Sequence, residues 1–244
     1  MKHLPRCTID FAVDESRETT CPDCLTKTFS NCKSMDLPTA LKLRELQHQK
    51  SFEKRSIIQH EGDPAATIGI VNKGTAAVVK HTEDGKRQIV GFLSDGDLFG
   101  ISPDDEYFAS IEAITNVDTC LFPKAEFETL IAGHPQLSPD LLRVVSHELA
   151  EAANHTVLLG QLTSSGRIAA YLCERAERLR AEGLDAKTVT LEMTRSDLGD
   201  YLGISMEHVS RALGYLAGEG LIRVVGRRNV EILNFAGLQE AGLH

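Results

Sequence analysis

Long apolar runs are missing from this 244-residue chain, and with them any stretch of the ~20 residues a bilayer-spanning helix needs. A secretion signal is missing too, because Met1 to Cys7 holds no apolar core. The chain is therefore read as cytoplasmic, with no membrane partner. Positive charge is in short supply: 26 Lys and Arg face 35 Asp and Glu, a net charge of −9. On its face that balance argues against nucleic acid. The sequence also lacks a Gly-rich phosphate loop, an HExxH spacing and a nucleophile elbow. A metal-dependent enzyme built on its thiols would need an open ligand position and a nearby base, so no enzyme is expected.

What is present suits a folded protein. At 42% hydrophobic and 25% charged residues the chain can bury a core, as one large domain or two modest ones. Residues 1–36 form a polar arm carrying Cys7, Cys21, Cys24 and Cys32. After Pro38, Leu41, Leu43 and Leu46 suggest a short helix. From Phe52 to Phe122 short β-prone runs alternate with turn residues: Ile68–Val71, Thr75–Val79 and Arg87–Leu93, with Asp84-Gly85 as a hairpin turn. Even spacing of this kind suggests a small sandwich or roll. Beyond His134-Pro135 the period changes. Leu142, Val145, Leu149, Ala152, Thr156 and Leu159 follow heptad steps on a helix from Pro139 to Leu162. So narrow a stripe favours a coiled-coil dimer over packing within the chain. Thr163 to Gly166 reads as a break, and Arg167–Ala181 as a second helix. The domain plan is an arm (1–36), a sensor roll (37–135), a dimerisation helix (136–163) and a DNA-binding domain (164–244).

The segment Met193 to Leu213 is the most informative. Ser196 to Leu202 reads as a short helix, Gly203 as a turn and Ser205 as the cap of a second helix. In that second helix Val209, Leu213 and Leu216 face inward, while Glu207, Ser210 and Arg211 share an exposed face. Two helices at a Gly-containing turn make a helix-turn-helix, whose second helix enters the major groove. Arginine can grip guanine, glutamate can accept from cytosine and serine can reach several base edges. Phosphate contacts are expected from Thr194 and Arg195. Leu221 to Ile232 reads as a hairpin with a basic tip, Gly226-Arg227-Arg228.

The thiols point to metal or redox chemistry, since a cytoplasmic chain needs no disulfide framework. Cys21-Pro22-Asp23-Cys24, followed by Cys32, offers three thiolates, and Cys120 is a fourth only if the fold brings it near. Zinc and iron–sulfur suit such donors equally. A thioredoxin-like pair would open a helix after a strand, which this arm lacks. Cys7 has no assigned role, and Cys173 reads as a core residue.

The order of roll, long helix and C-terminal winged helix-turn-helix resembles the CRP/FNR superfamily of bacterial transcription regulators. The turns Glu61-Gly62-Asp63, Lys73-Gly74-Thr75 and Gly96-Asp97-Leu98-Phe99-Gly100 match its glycine pattern, and Glu207-His208-Val209-Ser210-Arg211 is similar to the E-x-x-S-R motif of the FNR branch. The resemblance implies an α+β fold: a cyclic-nucleotide-binding-like β-roll, a dimerisation helix and a winged helix-turn-helix. It implies a homodimer that binds a TTGAT-N4-ATCAA palindrome and meets RNA polymerase. It also implies a [4Fe–4S] cluster on Cys21, Cys24, Cys32 and Cys120 that senses oxygen, with nitric oxide as a second signal. A haem sensor on the same scaffold would use a histidine such as His81 or His147. Cyclic-nucleotide binders of the superfamily carry an arginine–serine pair after the phosphate loop. Here that stretch, Asp105 to Ile111, is acidic and has no arginine, so no cyclic nucleotide is expected.

Overall fold

The computed structural model describes residues 37–181 and 183–243. Contacts group the described residues into two units, 37–80 with 91–149 and 81–90 with 150–243.

From Leu37 to Pro123, α1 (Leu37–Leu46) leads into eight short strands: β1 (His48–Phe52), β2 (Ile57–Gln59), β3 (Thr67–Lys73), β4 (Ala76–His81), β5 (Arg87–Leu93), β6 (Leu98–Phe99), β7 (Ser110–Ala113) and β8 (Val117–Pro123). The strands form two four-stranded sheets, ordered β1-β8-β3-β6 and β2-β7-β4-β5. Alternation along β3 and β8 builds two apolar layers from one sheet, because successive side chains point to opposite faces. Ile68 and Ile70 sit opposite Phe122 and Cys120 in register, and these four join Leu43, Phe127, Leu130 and Leu137 in one buried cluster. The other face gives Val71 and Val117, which pack with Ala76, Leu93, Phe99, Ile111 and Ala113. Gly69 pairs with Phe99, and a Cβ there would lie 2.1 Å from the Phe99 ring. Only a glycine leaves room for that ring.

Helix α2 (Lys124–Gly133) follows β8 directly, and a 3-10 turn at Pro135–Leu137 opens α3 (Ser138–Gln161). The strands begin at His48 rather than near Phe52, and α2, which was not anticipated, lies between the last strand and the long helix. Among the described residues no helix is long and apolar enough to cross a membrane.

The second unit holds α4 (Ser164–Ala181), β9 (Thr188–Thr190), α5 (Arg195–Leu202), α6 (Met206–Gly218), β10 (Ile222–Val225), β11 (Asn229–Ile232) and α7 (Phe235–Ala241). The break between the two helices is present but shorter and earlier than expected. It takes residues 162 and 163 only, and the Thr163 hydroxyl, accepting from the Gly166 N–H at 3.2 Å, starts α4 three residues before Arg167. The hairpin β10–β11 gains a third strand, β9, to give the order β10-β11-β9. Neither β9 nor α7 was anticipated.

The α5–α6 corner has little spare space. A Cβ on Gly199 would meet the Ile204 carbonyl oxygen at 2.5 Å. Gly199→Ala is expected to cost about 1–3 kcal/mol through overpacking, read as earlier denaturant unfolding of the helix-turn-helix unit. His155 of α3 is stacked on Tyr201 of α5, with ring centroids 4.2 Å apart. Burial lowers its pKa from the usual value. The unfolded chain therefore protonates first as pH falls. The stability that neutral His155 contributes is complete above its ordinary pKa and is lost as pH drops below it. Between pH 8 and 5.5 the wild type should lose more melting temperature than His155→Gln does.

Candidate nucleic-acid interface and thiol site

Helix α5 is two turns long and starts on a capping box. The Thr194 hydroxyl accepts from the Asp197 N–H at 3.1 Å, and the Asp197 carboxylate accepts from the Thr194 N–H at 3.0 Å. Thr194 is thus committed to its helix before any phosphate arrives. Gly203 ends α5 in the left-handed region, at φ 63°. Ser205 caps α6 by accepting from the His208 N–H.

Three residues from outside the motif hold the carbonyl end of α5. Gln88 donates to the Asp200 carbonyl, His155 Nε2 to the Tyr201 carbonyl at 2.8 Å and Arg167 to the Leu202 carbonyl at 2.8 Å. Arg167 also donates to the carbonyls of Leu159 and Leu162 in and just after α3, at 2.7 and 3.0 Å. Arg87 pairs with Asp200 and, at 3.2 Å, with Asp197. None of these partners was read from the sequence. They lie up to 113 residues away along the chain, and no local pattern marks them.

Helix α6 buries Val209, Ala212, Leu213 and Leu216. Its outer face presents exposed Glu207 and Arg211 with half-buried Ser210, the three residues expected to read bases. A hydrogen bond from Ser205 and the nearby charges of His208 and Arg211 lower the Glu207 pKa, keeping the group ionised as an acceptor. Tyr215 is 58% exposed one turn beyond Arg211. Its i+4 spacing from Arg211 was legible but was not used. Arg195, expected at a phosphate, donates from Nη1 to Ser210 Oγ at 3.0 Å. At the wing Arg227 and Arg228 are exposed, while Arg223 pairs with Glu231 at 2.9 Å.

The stripe on α3 is open along most of its length. Leu142 is 67%, Val145 45% and Leu149 72% exposed, and Ala152 and Thr156 are exposed as well. Leu159 is half-buried and approaches the turn: a Cβ on Gly203 would lie 3.2 Å from its Cδ2. The last position of the stripe is therefore shared with the helix-turn-helix.

Of the expected thiol ligands only Cys120 is described. Cys21, Cys24 and Cys32, like Cys7, lie outside the described residues. Cys120 sits on β8 with no exposed surface, in the cluster that includes Leu43 of α1. Among the described residues no group of three or more His, Cys, Asp or Glu could hold a metal. Burial pushes the Cys173 thiol up to about 11, which suits an inert core residue. His81 and His147 are both exposed. In the acidic stretch Tyr107 is buried, and its hydroxyl lies 3.0 Å from both the N–H and the carbonyl of Thr67.

Comparison with known proteins agrees with this layout. Residues 49–134 match the cyclic nucleotide-binding domain family, and residues 166–241 match the Crp-like helix-turn-helix domain. The nitrogen fixation regulation protein FixK of Bradyrhizobium diazoefficiens is 36% identical over 208 residues, covering 84% of this chain and 86% of the relative. The transcriptional activator protein FnrL of Cereibacter sphaeroides is 30% identical, covering 91% and 92%. An anaerobic regulatory protein of Pasteurella multocida is 27% identical, covering 85% and 77%. Among solved structures, FixK2 of Bradyrhizobium japonicum superposes with a TM-score of 0.74 at 32% identity, covering 80% of this chain and 96% of that one. These relatives are regulators of transcription and not enzymes, and this chain belongs with them to the CRP/FNR family, as an FNR-type regulator with a DNA-binding helix-turn-helix.

Proposed function

We propose that this regulator senses oxygen through a [4Fe–4S] cluster held by Cys21, Cys24, Cys32 and Cys120, and that the sensor state governs dimerisation and binding to a TTGAT-N4-ATCAA palindrome. The observation that carries the reading is the position of Cys120. It lies in the apolar wall beneath α1, and α1 begins five residues after Cys32. Five residues reach at most roughly 18 Å, so Cys32 can be no farther than that from the start of α1. The donor set fits the group: four soft thiolates are the usual ligands of such a cluster. When bound, the cluster supplies an oxygen-labile tie among these thiols. The name of the Pasteurella relative, an anaerobic regulatory protein, agrees with an oxygen signal.

The protein's own part is mechanical. Leu43 and Leu46 of α1 pack against the Cys120 cluster together with Leu130 of α2 and Leu137 at the entry to α3. Whatever holds or frees the arm therefore bears on the start of the long helix. Along that helix Leu142, Val145 and Leu149 present an apolar seam for a second copy of this chain. Ala152 and Thr156 add little area to it, and the Thr156 hydroxyl turns back to the Ala152 carbonyl at 2.9 Å. So weak a stretch keeps the dimer marginal and open to control. Pairing of the seams sets two α6 helices against successive major grooves. Base reading falls to Glu207, Ser210 and Arg211, with backbone contacts from the region of Thr194 and Arg195 and from the wing. The acidic Asp105–Ile111 stretch and the buried Tyr107 favour neither a cyclic phosphate nor its nucleotide. RNA polymerase is the expected partner at the promoter.

Protein purified without oxygen should contain about four iron and four sulfide per chain, absorb broadly in the blue and shift the palindrome. Air should remove both signals, and Cys120→Ser should lack both. Zinc without iron, a sharp Soret band, or iron retained in Cys120→Ser would overturn the reading. Ala152→Leu should tighten the dimer by a factor on the order of ten or more, from the added apolar area, and preserve DNA binding in air. Dimerisation as oxygen-sensitive as in the wild type would show that these small residues do not set the switch.

A further inference from the structure

Arg195 opens α5, Ser210 lies one turn into α6, and a single hydrogen bond of 3.0 Å joins Nη1 to Oγ across the motif. Both side chains are half-buried, so the pair is partly shielded from competing water. The chemistry of the two groups gives this bond a direction. A guanidinium has five donors and no acceptor, whereas a serine hydroxyl has one proton and two lone pairs. In this contact Ser210 can only accept. Its proton remains to be given elsewhere, and the charge on Arg195 polarises the O–H into a better donor.

We propose that Arg195 is a positioning residue for base selection. By filling one of the two acceptor sites of Ser210 it biases that hydroxyl toward donating and sets a preference for a base that offers an acceptor. Thymine O4, guanine O6 or N7 and adenine N7 offer one, whereas the cytosine N4 amino group must compete for the single lone pair left. This differs from a phosphate contact, which fixes register and carries no sequence information. It also accounts for a feature that a phosphate-binding arginine would not need, a guanidinium aimed at the face of the neighbouring helix. The inference rests on the reading that Ser210 faces the bases.

The test uses the full-length protein, handled without oxygen, and the tightest palindrome selected from random duplexes, so that no particular operator is presupposed. Each half-site base pair is changed symmetrically to the other three, and affinities are measured by anisotropy at several salt concentrations. Wild type, Ser210→Ala, Arg195→Gln and the double variant are compared. Arg195→Met, which keeps the packing of the stem, serves if Arg195→Gln melts early. Ser210→Ala should flatten discrimination at one base pair, by about 5- to 150-fold per half-site. Arg195→Gln should flatten the same position and leave the ranking elsewhere intact, and the double variant should add nothing at that position. If Arg195→Gln instead weakens every operator by one factor, lowers the salt slope and keeps the wild-type base profile, Arg195 is a phosphate contact and the inference fails. If Ser210→Ala itself keeps the wild-type profile, the placing of Ser210 at the bases fails with it.

Discussion

The carbonyl end of α5 is the constraint on which the DNA-reading half depends. A helix of eight residues is too short to persist by itself, and its last carbonyls have no partners within the helix. Gln88, His155 and Arg167 satisfy three consecutive ones, at Asp200, Tyr201 and Leu202. Each donor comes from a different element: the β5 strand, the long helix and α4. Since α6 is set against α5 through the Gly203 turn and the tight Gly199 contact, these three donors help decide where the exposed face of α6 points. Arg167 does more than cap. With bonds to Leu159, Leu162 and Leu202, it makes the end of the seam helix and the end of α5 parts of one hydrogen-bonded body. A shift in either moves the other or leaves a carbonyl unpaired, at about 1–3 kcal/mol for each buried one.

A parallel constraint governs the roll. The pleat puts Cys120 and Phe122 on the face of β8 that the helices cover, and Val117 and Leu121 on the face toward the interior of the roll. A thiol one position along would point into the roll, away from α1. The position of Cys120 in the strand period is what puts its thiol on the helix-covered face, in the cluster with Leu43.

Much of this could be read before any coordinates. Strand β5 was bounded to the residue, because Asp84-Gly85 marks the hairpin before it and Gly96-Asp97 the turn after it. The α5–α6 turn was legible from Gly203 and Ser205. What escaped has a common physical cause. Strand β9 is three residues long and exists through its pairing with β11, so nothing local announces it. Helix α2 starts on Pro123, the last residue of β8, which hides the change of period. The clasp from Arg87 to Asp200 is purely tertiary. Thr194 is a different case. The spacing Thr194 to Asp197 is a capping signature, and the fold shows the Thr194 hydroxyl engaged in that cap, a local role that the expectation of a phosphate contact left out. Arg195 stands out in the sequence as a cation at the start of the motif, but its hydrogen bond to Ser210 could come only from the fold.

The acidity of the chain now has a physical place. Residues 163–244 carry a net charge of −1 and residues 1–162 a net charge of −8. Charges more than ~8 Å apart in solvent are largely screened at physiological salt, so the distribution near the DNA outweighs the total. Several acids in the DNA-binding unit are already engaged. Asp197 is tied into the capping box and to Arg87, Asp200 to Arg87, and Glu231 to Arg223. Arg211 on α6 and Arg227 and Arg228 at the wing tip stand exposed. Glu207 is the one acid on the reading face expected to meet a base, and its lowered pKa keeps it charged. A carboxylate set against a base edge is repelled by acceptors and attracted by an amino group. An acidic protein can thus present a DNA-binding face, because charge of either sign acts where it stands and not through the total.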